Sequence, residues 1–255
     1  MSGPLSFVVR AAVAPINAEP SLRSEQVSQT LAGHFLVGLE ERPSWLRVRA
    51  RDGYEGWVNR GYLSAAAERD SAAHSSAGRV SLGCTVRDPD GSERALPLGA
   101  VLTGDVLVEN GCALTPQELR ERFPTEPDAI ARSARGLFAG APYQWGGITP
   151  WGADCSGFVQ SIFGLHGIQL PRDASRQAEL GTPVVDGISA LRPADLLFFS
   201  ERPDQRATHV ALALSPNSFA HVALGRGGHA VEHLDDPADP YVVQLMGRCT
   251  GVRRL

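Results

Sequence analysis

Short runs of alternating apolar and polar residues open the chain, and the pattern changes style twice before it ends. From 7 to 64 the runs "SFVVRAAVAPI", "QTLAGHFLVGLEE", "WLRVRA" and "GYEGWVNRGYL" are split by Gly, Pro and Asp, which predicts the short strands of a small β-barrel. Residues 65 to 78, "AAAERDSAAHSSAG", carry no such alternation and read as a linker. Strands return in "RVSLGCTVRD", "GSERALPLGAVLT" and "DVLVENG", with a "DPDG" turn between the first two, and suggest a second, reduced barrel. From about 115 the pattern becomes helical. "TPQELRERF" offers Thr115 as N-cap, Pro116 at the first helical position and Glu118 three residues on. A helix is expected in "EPDAIARSARGLFAG", another where Phe158, Val159, Ile162 and Phe163 recur, and strands in "DLLFFS", "THVALAL" and "SFAHVAL". Helices followed by an antiparallel set argue for an α+β domain.

Composition narrows the setting. The chain has 255 residues, 43% of them hydrophobic, enough for one large domain with one or two small ones. All 24 cationic side chains are arginine and the formal charge is −4. Nucleic acid is therefore not expected as a partner, and lysine chemistry of the P-loop or Schiff-base kind is excluded. The N-terminus has no basic segment leading into an apolar run, and no window reaches the roughly 18 apolar residues of a membrane span. A cytoplasmic location without a membrane partner is expected, unless an export signal has been removed. Cys84, Cys112, Cys155 and Cys249 are too far apart for a C-x-x-C metal pattern and too few for a disulfide scaffold. His229 and His233 are four apart but lack the H-E-x-x-H context, so neither a metal nor a cofactor is implied.

The stretch "YQWGGITPWGADCSGFVQSIFG", residues 143 to 164, sets Cys155 where a helix should begin. A helix N-terminus or a neighbouring imidazolium lowers a thiol pKa and makes a nucleophile, whereas an ordinary buried cysteine needs neither. His209 and His221 lie twelve positions apart in "THVALALSPNSFAHVAL". A three-residue hairpin loop, Ser215 to Asn217, puts Ala211 opposite His221 and both imidazoles on one face, roughly 7–8 Å apart at the backbone. An even loop would separate them. One imidazole can then accept the thiol proton while the other orients it. Ala211 and Ala213 on that face are expected to leave room for substrate.

The motifs "Y-x-W-G-G", "D-C-S-G", "L-P-R-D", "L-R-P-A-D-L-L-F-F" and "T-H-V-A-L", in this order, resemble the NlpC-type, papain-like cell-wall peptidases over about residues 120 to 255. The front of the chain, with "DGYEGWV", resembles the bacterial SH3-like domains attached to a subgroup of them. The resemblance implies an α+β papain-like cysteine peptidase domain at 117–255, an SH3-like barrel at 1–66, and a second, reduced one with the linker at 67–116. It implies Cys155 as nucleophile, His209 as base and His221 as its orienter. That subgroup cuts murein tri- or tetrapeptides between D-γ-glutamate and the diamino acid, requires a free N-terminal L-alanine and acts in peptide recycling; a monomer is expected. Tyr143 matches the family tyrosine and is placed to assist the Cys155 N–H at an oxyanion, or is a packed aromatic. Asp154 and Ser156 match positions that bind the substrate amine, although Asp154 could simply cap the helix. Tyr54 and Glu19, in preference to Glu25, would close that pocket.

Two departures stand out. Ala194 occupies a position where the family more often has Gly, and Ala174 replaces a serine that could touch the amine, with Ser175 one place along. Competing readings are a secreted hydrolase whose barrels bind polymeric wall, a non-catalytic binding protein on the same scaffold, and a thiol acyltransferase.

Overall fold

Period-two alternation at the front of the chain becomes seven strands in one antiparallel sheet. They are β1 (Ser6–Val9), β2 (Val13–Asn17), β3 (Gln26–Leu31), β4 (Phe35–Arg42), β5 (Trp45–Arg49), β6 (Glu55–Asn59) and β7 (Leu63–Ala66), in the order β3-β2-β6-β5-β4-β1-β7. The computed structural model describes residues 5–66, 78–102, 104, 106–234 and 239–255. Phe7, Val9, Ala14, Ile16, Leu36, Leu46, Val48 and Val58 converge into the core of this sheet, so one strand face is buried as the alternation requires. Most of the expected linker, 67–77, lies outside the described residues.

β8 (Arg79–Arg87), β9 (Glu93–Leu102) and β10 (Leu107–Leu114) form a separate three-stranded sheet, ordered β10-β8-β9. The "DPDG" turn closes through the Gly91 N–H on the Asp88 carbonyl at 2.9 Å. Two bonds tie this sheet to the first: Val101 N–H to the Ala32 carbonyl at 2.8 Å, and His34 Nε2–H to the Gly99 carbonyl at 3.0 Å. Helix α1 (Pro116–Arg122) follows with a reciprocal capping box, Thr115 N–H to Glu118 Oε2 at 2.8 Å and Glu118 N–H to Thr115 Oγ1 at 3.3 Å. The chain divides into two compact units after it, Met1–Arg122 and Phe123–Leu255.

The second unit holds α2 (Pro127–Gly136), the short pair β11 (Ile148–Thr149) and β12 (Gly152–Ala153), α3 (Cys155–Leu165) and α4 (Ala174–Gln177). Its six-stranded antiparallel sheet runs β13 (Thr182–Pro183), β18 (Cys249–Arg254), β14 (Leu196–Phe199), β15 (His209–Ser215), β16 (Ser218–Ala223), β17 (Gly228–His233), with α5 (Pro240–Met246) between β17 and β18 in sequence. Phe158, Val159, Ile162 and Phe163 are buried where α3 packs on β15 and β16. β17 and β18 escape sequence reading. "GHAVEH" carries two histidines and a glutamate, and "CTGVRR" buries only Val252.

The β15–β16 hairpin corrects the expected loop. Ser215 pairs with Ser218 across a two-residue turn, and a bulge between Ala213 and Ser215 absorbs the extra residue. Beyond it Ala213 faces Phe219 and Leu212 faces Ala220. The bulge therefore restores the parity that an even turn would have reversed, and His209 and His221 share a face. Ala211 and Ala213 do not open room for substrate. Both are fully buried in a core cluster with Leu197, Phe199 and Phe219, where small side chains admit the large rings.

Candidate active site

The loop before α3 folds tightly because glycine lets backbone approach backbone. Gly146 has φ +75°, and a Cβ on Gly147 would lie 2.3 Å from the Gly152 carbonyl oxygen. Tyr143 is bridged to Ala153, so the tyrosine is fixed beside the strand that delivers the helix start. Asp154 is the N-cap of α3, its Oδ1 accepting the Gly157 N–H at 2.8 Å and its Oδ2 the Gly146 N–H at 2.8 Å.

Arg172 completes that corner. Buried like Asp154, it donates from Nη1 to Asp154 Oδ1 at 2.9 Å and from Nη2 to Oδ2 at 2.6 Å, a bidentate pair, and from Nη1 to Ser156 Oγ at 2.9 Å. Gln177 Nε2–H bonds the Ser156 carbonyl at 3.0 Å. Asp154 and Ser156, which the resemblance assigns to the substrate amine, thus have partners inside the protein, and an incoming ammonium would share them. Ser175 accepts from Arg206 Nη2 at 3.2 Å.

Cys155, the first residue of α3, is buried and lines a cavity of about 350 Å³ together with Tyr143, His209, Gln244 and the Glu201–Arg248 ion pair. His209 Nε2 lies 2.9 Å from His221 Nδ1. His221 Nε2 lies 3.2 Å from Glu232 Oε1. Glu232 is clasped by Arg226, Nε to Oε1 at 2.7 Å and Nη2 to Oε2 at 2.9 Å, and Arg226 also pairs with Asp239, the N-cap of α5.

Electrostatics keep Cys155 and His209 neutral in the free protein. Burial, then the Asp154 carboxylate, pushes the Cys155 thiol up to about 11, against the expectation that the helix start would lower it. Burial, then His221, pushes His209 down to about 3. Burial, then the neighbouring Cys155 and Asp154, pushes the Tyr143 phenol up to about 12, so it stands as a hydrogen-bond donor. Such a set can attack a carbonyl only as the thiol proton moves to imidazole, the nucleophile-and-base arrangement of a cysteine hydrolase.

Residues 140–243 match the NlpC/P60 family, and residues 13–64 match the bacterial SH3 domain. The chain carries an NlpC/P60 cysteine peptidase domain behind a bacterial SH3 domain. The NlpC/P60 domain has the papain-like fold of the family, behind an SH3-like β-rich region. The chain is 28% identical over 227 residues, 81% of its length and 71% of the relative's, to a gamma-D-glutamyl-L-lysine dipeptidyl-peptidase of Bacillus subtilis. It is also 28% identical to dipeptidyl-peptidase 6 of Lysinibacillus sphaericus, covering 98% of this chain and 100% of that one. A solved NlpC/P60 family protein from Bacillus cereus shares the fold with a TM-score of 0.77 at 20% identity, covering 98% of this chain and 99% of that one.

Of the residues singled out in the sequence, Cys155, His209 and Tyr143 meet in one cavity of the NlpC/P60 domain, with His221 bonded behind His209. Tyr54 and Glu19 belong to the first unit, Tyr54 half-buried on a turn where its N–H bonds Asp52 at 3.0 Å, and Glu19 exposed. Sequence reading missed Arg172, Gln177, Arg226 and Glu232. Arg172 was visible inside the quoted "L-P-R-D" motif. Glu232 could have been found only by recognising β17, where Ala230 pairs with His221 and so places residue 232 on the same face.

Proposed function

We propose that this peptidase hydrolyses the D-γ-glutamyl–diamino acid bond of soluble murein peptides that carry a free N-terminal L-alanine. The observation that carries the reading is the meeting of Cys155 and His209 in one cavity with His221 behind His209; its direction comes from the similar gamma-D-glutamyl-L-lysine dipeptidyl-peptidase of Bacillus subtilis. In this mechanism the thiol proton passes to His209 as sulfur attacks the glutamyl γ-carbonyl carbon. The oxyanion is met by the Cys155 N–H and the Tyr143 phenol, and His209 returns the proton to the leaving amine. Water then releases the acyl group by the same proton relay.

The ammonium of L-alanine is assigned to Asp154 and Ser156. A substrate whose ammonium enters a partly desolvated polar site loses its binding when the charge is blocked. Soluble recycling peptides, encountered in the cytoplasm, fit a chain with no lysine and a net charge of −4 better than polymeric wall does, since no basic surplus is offered to an anionic polymer. The test is kcat/KM for L-Ala-γ-D-Glu-diamino acid tripeptide and for its N-acetylated form, read by mass spectrometry. Strong preference for the free amine is expected, and equal rates would overturn the amine pocket and favour a wall hydrolase.

A further inference from the structure

The hydrogen-bonded row behind the cysteine does not stop at the second histidine. His209, His221 and Glu232 form one line, at 2.9 and 3.2 Å, and its last member is fixed from the far side by Arg226, which also holds Asp239. Tyr241 backs both, its ring 4.3 Å from the Arg226 guanidinium carbon and edge-on to His221. We infer that Glu232 is a positioning residue for the reaction, a fourth group that fixes the tautomers of both imidazoles and so leaves His209 Nδ1 free to take the thiol proton.

The argument follows from counting protons. A carboxylate only accepts, so His221 Nε2 must carry the hydrogen on that bond. With a single proton on the ring, His221 Nδ1 is bare and His209 Nε2 must donate to it. Neutral His209 is left with its lone pair on Nδ1, the one nitrogen able to act as base. Although burial pushes the Glu232 carboxyl up, hydrogen bonds from His221 and Arg226 hold it down at about 2, so it remains an acceptor. Without the carboxylate the whole line can reverse. His221 would then hydrogen-bond through Nδ1–H to a bare His209 Nε2, His209 would be protonated on Nδ1, and the base would be lost. Arg226 keeps Glu232 in place, and the three charges Glu232, Arg226 and Asp239 leave one net negative charge to face the His209 imidazolium formed during attack.

This inference rests on cysteine-peptidase chemistry and not on the proposed substrate, so it is tested without one. Long-range proton–nitrogen NMR of the imidazoles at neutral pH reads the tautomers, and mass-resolved alkylation of the Cys155 peptide by iodoacetamide reads thiol activation. In the intact protein both rings are expected as Nε2–H tautomers; a proton on His221 Nδ1 overturns the proposal with no variant needed. Glu232→Gln, which can donate as well as accept, is expected to show both tautomers and to slow Cys155 alkylation about 10- to 100-fold. Arg226→Met, which disturbs packing more than Glu232→Gln but keeps the carboxylate, is expected to retain the Nε2–H tautomers and lose less. A folded Glu232→Gln protein with the original tautomers and an unchanged alkylation rate, or equal losses in both variants, would make the role structural and refute the assignment.

Discussion

In the proposed mechanism Cys155 and His209 each do something the other residues cannot replace, since one supplies the electron pair and the other removes the proton that masks it. Cys155→Ala and His209→Ala are expected to reduce turnover by on the order of 10⁴-fold or more with the fold intact, whereas His221→Gln, which keeps a polar partner for His209, should lose less. Steady-state kinetics beside circular dichroism checks this, and equal loss at His209 and His221 would contradict the division of roles. Ala194 makes a different residue-scale prediction. It is buried with φ +67°, a left-handed conformation that costs an L-residue about 1–2 kcal/mol and that glycine adopts without strain. Ala194→Gly is expected to stabilise the protein by about 0.5–1 kcal/mol after the greater chain entropy of glycine is subtracted. A lowered denaturation midpoint would refute that.

Helix α3 delivers Cys155, and its first turn is held by close backbone contact rather than by side-chain packing alone. A Cβ on Gly157 would stand 2.1 Å from the Gly147 carbonyl oxygen and 3.1 Å from Asp154 Oδ1. Gly157→Ala is therefore expected to cost roughly 1–3 kcal/mol and to displace Cys155 from the cavity, seen as a lower melting temperature together with lost kcat. Elements of this kind were legible in the sequence where local chemistry decides them: the Thr115 capping box, the α3 start, and strands with unbroken apolar runs such as "LLFF". Elements decided by distant partners were not. β17 looks too polar until Arg226 is seen to satisfy Glu232, and the β15–β16 bulge has no local signature, although the parity it restores was inferred from the wrong loop. The thiol pKa was misjudged for the same reason, because burial by the assembled domain outweighs the helix start.

At the scale of the whole molecule, buried imidazoles make the fold acid-sensitive. Burial is the leading cause that holds His34, His166, His209 and His229 below their ordinary 6.5. A lowered folded-state value means that the unfolded chain binds more protons, so this stability is complete above pH 6.5 and is lost as pH falls through the folded values, about 3 for His209. Chemical denaturation across that window is expected to show a falling midpoint, less steep in His209→Asn; a flat profile would contradict the neutral resting base.

The central claim, that sulfur of Cys155 forms the acyl intermediate, is tested most directly by trapping it. Acid quenching during turnover of the tripeptide, digestion and mass spectrometry should reveal the Cys155 peptide carrying L-Ala-γ-D-Glu as a thioester, with hydrolysis abolished in Cys155→Ala. Sustained hydrolysis by folded Cys155→Ala, or turnover with the adduct on another residue, would contradict it.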